Sequence, residues 1–372
     1  MIIRRGMKIS VNGRFLTRRP TGVDRVAFEV VRAIDQLMAS GDPSADGLKV
    51  DVLVPGSATM DTYTFDRIAV RHVSGSGQVW EQCMLPLAAR GSLLLNLCNS
   101  GPLFFRNQVT VLYDAAPVRV PDSYRRSFRL WYSVMAPWMG RVARRMLTVS
   151  EFSRREIALA YRIPSAKIGV VPESGEHILR GCDETDISKK YQIGSKPYVL
   201  AVGSMIRHKN FDLLLKAIDL LGPVDCEFVV VGGGLSAASA AGVAKAMRAQ
   251  KRLKHVGYVP DADLKALFRG ASCFVFPSLY EGYGLPPVEA MALGCPVIAS
   301  DIPSVREACG NAAVYVSPNS AAELAAAIAC VVSNENVQED LRVQGFVKAA
   351  STSWRDSAVA LLHEISPWLM LK

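Results

Sequence analysis

Twice along this chain of 372 residues, short apolar runs of β character alternate with stretches of helical periodicity. The first series comprises Ile9 to Val11, a helix from about Val23 to Met38, then Val50 to Val54, Ile68 to Val73, Leu93 to Leu97 and Val109 to Leu112. The second comprises Tyr198 to Gly203, Phe228 to Val231, His255 to Gly257, Cys273 to Phe276 and Val297 to Ile298. Runs that are apolar throughout suit strands covered on both faces, so the expected fold is α/β with a parallel sheet in each half, two Rossmann-like domains in all. The length is enough for two separate cores. We place the first domain at residues 1–178 and a linker at 179–195, where Cys182 to Asp186 is polar and Gly194-Ser195-Lys196-Pro197 punctuates the next strand. The second domain takes 196–350. Residues 351–372 carry Val359, Leu361, Leu362, Ile365, Trp368 and Leu369 at helical spacing, with Pro367 expected to kink or end that helix.

With 50% apolar and 21% charged residues the composition is that of a folded domain pair. No apolar stretch reaches the roughly 18 residues that spanning a bilayer requires. The basic start, Met1 to Met7, is not followed by an apolar run, so no secretory signal is expected. The eight cysteines include no C-x-x-C pair and read as reduced thiols of a cytoplasmic protein. A net charge of +9 suits anionic partners, whether nucleotide phosphates, an anionic membrane face or nucleic acid. Arg125, Arg126, Arg129 and Trp131 lie in a segment, Arg119 to Arg145, that mixes arginine with aromatic residues. It fits peripheral contact at the inner face of a plasma membrane, or equally a half-buried helix with a solvated basic face. No nucleic-acid module accompanies it, and no nucleic acid is expected as partner.

The densest motif is Glu281-Gly282-Tyr283-Gly284-Leu285-Pro286-Pro287-Val288-Glu289, two carboxylates eight positions apart across a Gly/Pro-rich turn. It follows the Cys273 to Phe276 strand, its prolines suit a first helical turn, and Gly294 offers a left-handed C-cap, which places Glu289 in the first turn. N–H groups at a helix start favour a diphosphate, and a carboxylate accepts paired hydrogen bonds from a diol. The plainer alternative is an acid near a helix start and a solvated loop acid. Gly203-Ser204-Met205-Ile206-Arg207-His208-Lys209-Asn210 joins a strand to the helical run Phe211 to Ile218, at the sheet edge where ligands bind. Gly232-Gly233-Gly234 closes another strand and permits close backbone approach. Asp261-Ala262-Asp263 has the look of a D-x-D metal site but is better read as an N-cap to Leu264 to Phe268, so no metal is expected.

The stretch from Glu281 to Asp301 resembles the E-x7-E signature of retaining GT-B glycosyltransferases, the large group 1 family, and is similar to bacterial polysaccharide transferases of mannosyl and rhamnosyl type. The resemblance implies two Rossmann-like domains facing across a cleft, with the terminal helix returning to the first. It implies metal-independent transfer of a hexose, mannose as first expectation, from a GDP- or UDP-linked donor, with no cofactor. The acceptor would be a glycan, lipid-linked, in exopolysaccharide or O-antigen assembly. On this resemblance Lys209 grips the donor diphosphate. The partner arginine of relatives is replaced by Ser204 and His208, and Arg207 stands in for it. Glu281 would hold donor-sugar hydroxyls and Glu289 the ribose diol. Tyr258 and Val259 would hold the base through backbone groups, and Gly22, Gly203, Gly282, Tyr283, Gly284 and Leu285 would line the donor. Trp80-Glu81-Gln82 also matches relatives. Tyr113-Asp114 stands where relatives carry His-Asp, and Asp114 is expected either to orient the acceptor hydroxyl or to cap a helix. A nucleotide-sugar epimerase and a non-catalytic nucleotide-sugar-binding scaffold remain as alternatives.

Overall fold

The structure, a computed structural model, describes residues 7–18, 20–56, 64–181, 186–233, 247 and 250–369. Cys182 to Thr185 of the expected linker and Gly234 of the glycine run lie outside the described residues. The strands are β1 Met7–Asn12, β2 Leu48–Pro55, β3 Ala69–Val73, β4 Leu93–Asn96, β5 Gln108–Val111, β6 Arg145–Thr148 and β7 Ile168–Val170, then β8 Tyr198–Val202, β9 Glu227–Val231, β10 Leu253–Gly257, β11 Cys273–Phe276, β12 Val297–Ser300 and β13 Ala313–Val316. The longer helices are α1 Gly22–Ser40, α2 Arg126–Val142, α3 Glu151–Tyr161, α4 Phe211–Leu220, α5 Asp261–Gly270, α6 Leu285–Ala292, α7 Pro303–Cys309, α8 Ala321–Val332, α9 Glu335–Ala350 and α10 Trp354–Leu369.

The chain divides into two compact units, residues 1–118, 126–173 and 353–372 in the first and 119–125 with 174–352 in the second. Residues 179–195, read from the sequence as a linker, fall inside the second unit and include the short helix Ile187–Tyr191. Each unit is built on a parallel sheet, in the order β3-β2-β1-β4-β5-β6-β7 in the first and β10-β9-β8-β11-β12-β13 in the second. In both, the order reverses beside the first strand of the unit, between β1 and β4 and between β8 and β11. At such a point neighbouring connections leave in opposite directions and open a crevice at the strands' carboxyl ends.

The first sheet encloses a polar ladder. Asn12 donates to Asn96 Oδ1 at 3.1 Å, Asn96 donates to Gln108 Oε1 at 2.8 Å, and Ser10 donates to Asp51 at 2.6 Å. Glu81 joins it, taking Asn12 at 3.2 Å and Arg14 at 2.5 Å. These buried groups find partners on adjacent strands, which fixes register as well as satisfying them. The second sheet has an apolar filling instead. Phe274, Phe276, Leu200, Val229 and Val297 pack one face, while Val275, Val199, Phe228 and Ile298 pack the other. That two-sided burial is why its strands read as unbroken apolar runs.

Helix α10 runs through Pro367 to Leu369, and Pro367 does not end it. It lies in the first unit against α1, where Arg355 reaches Asp42 at 2.6 Å.

Candidate active site

Loops at the carboxyl edge of the second sheet carry the candidate site. Strand β8 delivers Gly203 and, through the short helix Arg207–Lys209, the Lys209 side chain. Strand β11 delivers Glu281, and the two meet as an ion pair, Lys209 Nζ to Glu281 Oε1 at 2.6 Å. The lysine also lies over the Phe276 ring at 5.6 Å. The pair therefore sits on the two strands that flank the reversal of the sheet, and both side chains are largely buried. An ammonium carries three donors, so Lys209 can hold Glu281 and still present N–H groups to an anion. Asn210, in left-handed conformation at φ 58°, ties the loop down by donating to Pro277 O at 3.0 Å and Pro318 O at 2.9 Å.

Helix α6 begins at Leu285 after Gly284, whose φ of 141° favours glycine, and Gly294 adopts φ 71° just past its end. Glu289 is the fifth helical residue, so it lies one step beyond the first turn in which the sequence placed it. Pro286 and Pro287 have no N–H, so among the first three helical positions Leu285 alone can donate to an anion. The helix start is a poorer anion site than a generic one.

Glu289 is buried and meets His177, Nε2 to Oε1 at 2.8 Å. His177 belongs to the turn Glu176–Leu179, which the chain presses against α6 at Gly175. A Cβ at Gly175 would stand 2.7 Å from Val288 O and 2.8 Å from Glu289 N. The sequence reading missed this pair. Its signal was a Gly and a His just past strand β7, itself too short to be seen. Replacing His177 with alanine leaves the Glu289 carboxylate without its buried partner. On the ribose-binding role that the resemblance implies for Glu289, the expected result is a rise of about tenfold or more in the donor KM with a smaller change in kcat, measured by donor titration.

Gly203 and Gly232 nearly touch. A Cβ on Gly232, which has φ 136°, would lie 1.9 Å from Gly203 O. The next strand end adds His255, whose Nε2 is 2.7 Å from Gly232 O, then Tyr258, exposed, and Val259, buried. Asp261 and Asp263 are inside α5 rather than capping it, since the cap position is Pro260. Asp263 is committed to Lys190 at 2.6 Å and to Tyr191. Among the described residues there is no group of three side chains fit to hold a metal.

Arg207 is exposed and pairs with Asp122 at 3.4 Å. Asp122 belongs to residues 119–125, which stand in the first half of the sequence but pack in the second unit. Ser123 Oγ accepts from His208 N at 3.1 Å, and the Tyr124 ring stacks on His208 with centroids 5.9 Å apart. His208 is buried and its Nδ1 has no hydrogen-bond partner. Burial first, then the Lys209 charge, pushes its imidazole down to about 4 from an ordinary value of 6.5. A base depressed in the folded state contributes stability that is complete above pH 6.5 and lost as pH falls through 4. His208→Phe is expected to reduce the fall in unfolding free energy between pH 7 and pH 4 by about 3 kcal/mol, read from urea titrations of both proteins.

In the first unit, Thr21 and Asp24 form a capping box at the start of α1, and Arg18 holds Asp24 at 2.6 Å. Gly22, the first residue of that helix, is exposed, and a Cβ there would meet nothing within 4 Å. The Tyr113 hydroxyl is turned inward, donating to Leu97 O at 3.1 Å. Asp114 Oδ1 accepts from Ala116 N at 2.8 Å, a cap on the short helix Ala116–Arg119.

Two parallel-sheet units of Rossmann type, each with its chemistry-bearing loops at the carboxyl edge, make the GT-B architecture. Solved structures agree on the fold. Sucrose-phosphate synthase from Thermosynechococcus elongatus superposes with a TM-score of 0.71 at 18% identity, over 96% of this chain and 97% of that one. HepE from Anabaena, in complex with UDP-glucose, gives 0.70 at 16% over 97% and 98%. WaaG, a glycosyltransferase involved in lipopolysaccharide biosynthesis, gives 0.68 at 12% over 98% and 100%. Residues 183–346 match the family model of glycosyl transferases group 1. The O-antigen chain mannosyltransferase B of Escherichia coli is 32% identical over 229 residues, 59% of this chain and 60% of that protein. The O-antigen chain mannosyltransferase RfbU of Salmonella typhimurium is 30% identical over 214 residues, 58% of each. The alignments thus span about three fifths of these curated relatives.

Proposed function

We propose that the protein is a glycosyltransferase that moves a hexose, mannose in the first instance, from a nucleotide-sugar donor to a glycan acceptor in O-antigen or exopolysaccharide assembly. The observation that carries this reading is the Lys209–Glu281 pair at the reversal of the second sheet, beside a Glu289 held by His177. Lys209, with Arg207 and the backbone from Gly282 to Leu285, would stabilise the charge that develops on the leaving diphosphate. Glu281 would take donor-sugar hydroxyls and Glu289 the ribose diol, since a carboxylate accepts two hydrogen bonds from neighbouring hydroxyls. Backbone at Tyr258 and Val259 would meet the base. The O-antigen mannosyltransferases among the relatives support mannose and a polysaccharide product. UDP-glucose in HepE supports a nucleotide-sugar donor.

The reading extends to retained anomeric configuration, to chemistry without a metal, and to a lipid-linked acceptor. Asp114 would serve the acceptor hydroxyl, and Gly22 would line the donor phosphates. Tyr113 spends its hydroxyl on Leu97 O, so donor-sugar orientation would fall to Glu281. Peripheral contact with an anionic membrane from the cytoplasmic side would go with such an acceptor. The exposed Arg126, Arg129 and Trp131 of α2, with Arg125 just before it, support that contact. Among the described residues no helix is long and apolar enough to cross a membrane.

The test is nucleotide diphosphate release from a panel of GDP- and UDP-sugars, with and without a membrane lipid extract. Lipid-dependent GDP release from GDP-mannose is the expected result. Tight donor binding without release under every condition would replace this reading with that of a non-catalytic nucleotide-sugar binder.

A further inference from the structure

Helix α2 presents a second feature, at its far end. Leu130, Val134, Trp138 and Arg141 are spaced by four, four and three residues and so share one face. That face is uncovered, with Leu130 69% and Val134 63% exposed. Trp138 is pinned by donating its indole N–H to Leu103 O at 2.7 Å, and it meets the Phe104 ring edge-on at 6.0 Å. Phe104 is itself 84% exposed, which widens the apolar strip. Such a strip costs free energy in water unless something covers it.

The strip ends in a cavity of ≈ 580 Å³ that Trp138 and Arg141 share. Its other charged walls are Arg106, Arg144 and Lys167, and Trp368 of α10 closes one side. Among the described residues, four cations and no carboxylate line it. Lys167 Nζ is anchored on Arg141 O at 3.1 Å, which holds two of the cations on one wall. Unbalanced positive charge gathered in a concavity between two indoles calls for an anionic ligand with an apolar body. Guanidinium groups bind phosphate oxygens in pairs, and tryptophan prefers the headgroup level of a bilayer.

We propose that this cavity receives the phosphate headgroup of an anionic membrane phospholipid while the strip from Leu130 to Trp138, with Phe104, lies among the upper acyl carbons. The site rests on the peripheral-membrane reading and deepens it. Arg125, Arg126 and Arg129 provide diffuse attraction at one end of the helix, and the cavity at the other end selects a headgroup and fixes orientation.

The experiment is co-sedimentation of the full chain with vesicles of phosphatidylcholine alone and of phosphatidylcholine with 30 mol% phosphatidylglycerol, near ~0.15 M salt. Arg141→Gln with Arg144→Gln should weaken binding to the phosphatidylglycerol vesicles by roughly tenfold or more. A charge-matched double variant in the second unit, Lys216→Gln with Lys251→Gln, should change it by less than about threefold. Leu130→Ser with Val134→Ser, which leaves the charge alone, should weaken it too. Equal losses in the two charge variants would mean diffuse attraction only and would overturn the headgroup site while leaving peripheral binding intact. Failure of the parent protein to sediment with either vesicle would overturn both. Circular dichroism of each variant separates lost binding from lost fold.

Discussion

Lys209→Ala and Glu281→Gln are each expected to cut sugar transfer by roughly 10²–10³ while the fold persists. The two side chains meet at 2.6 Å and are mostly shielded from water, so each sets the position and charge environment of the other. On the proposed function, losing the ammonium would remove the cation that stabilises the leaving diphosphate. Glutamine at 281 keeps a neutral acceptor of similar shape but lets Lys209 swing free, and it weakens the hold on hydroxyls. Because the pair acts as a unit, the double variant should be hardly worse than the poorer single one. Initial rates at saturating donor, with circular dichroism on each variant, check this. Additive losses would mean that the residues act separately, and near-normal turnover in both singles would remove them from the chemistry.

Gly232→Ala is expected to be the most damaging single-methyl change in the second unit. Two costs coincide there. The φ of 136° is a region that residues with a Cβ scarcely enter, and the new atom would stand 1.9 Å from Gly203 O. The obstacle is a backbone carbonyl and not a side chain that rotates away. Gly203 is itself fixed, since its N–H donates to Val231 O at 2.9 Å, and Gly232 N donates to Gly257 O at 2.7 Å. The strand ends must therefore part. A loss of about 2–4 kcal/mol in urea unfolding is expected, together with weaker donor binding. Gly22→Ala is the contrasting control, because nothing of the protein lies within 4 Å of the added methyl. A stability loss equal to that of Gly232→Ala would show that the close approach is not what matters.

Much of this architecture could be read along the chain because both-face burial writes itself as apolar runs. Strands β8, β9 and β11 and helices α1 and α10 fall where the periodicity put them, within a few residues at their ends. Strands β6, β7 and β13 went unseen for a local reason. They are three or four residues long and carry an arginine, a glycine or a half-exposed tyrosine where an apolar run would be looked for. At the site, the motif spacing with the family resemblance indicated Glu281, and the resemblance indicated Lys209, but neither could show that they touch. Their contact joins positions 72 apart through the order of the strands. His177 against Glu289 spans 112 positions, and Ser123 against His208 spans 85. Such pairs belong to tertiary packing and leave no periodic trace. Asp263 shows the converse error, since the local cap rule fails there: the cap position is Pro260, and Asp263 lies inside α5 paired with Lys190 of the short helix Ile187–Tyr191.

The seven residues 119–125 carry a lesson for anyone who would exchange parts of this protein. The chain passes from one unit to the other after 118, 125, 173 and 352, so the two are braided and not strung end to end. A hybrid that swaps in a foreign segment for 174–352 to change donor preference would leave Ser123 and Tyr124 facing a loop that did not evolve with them. The transplantable module is therefore discontinuous, and the seven-residue piece must travel with the larger one.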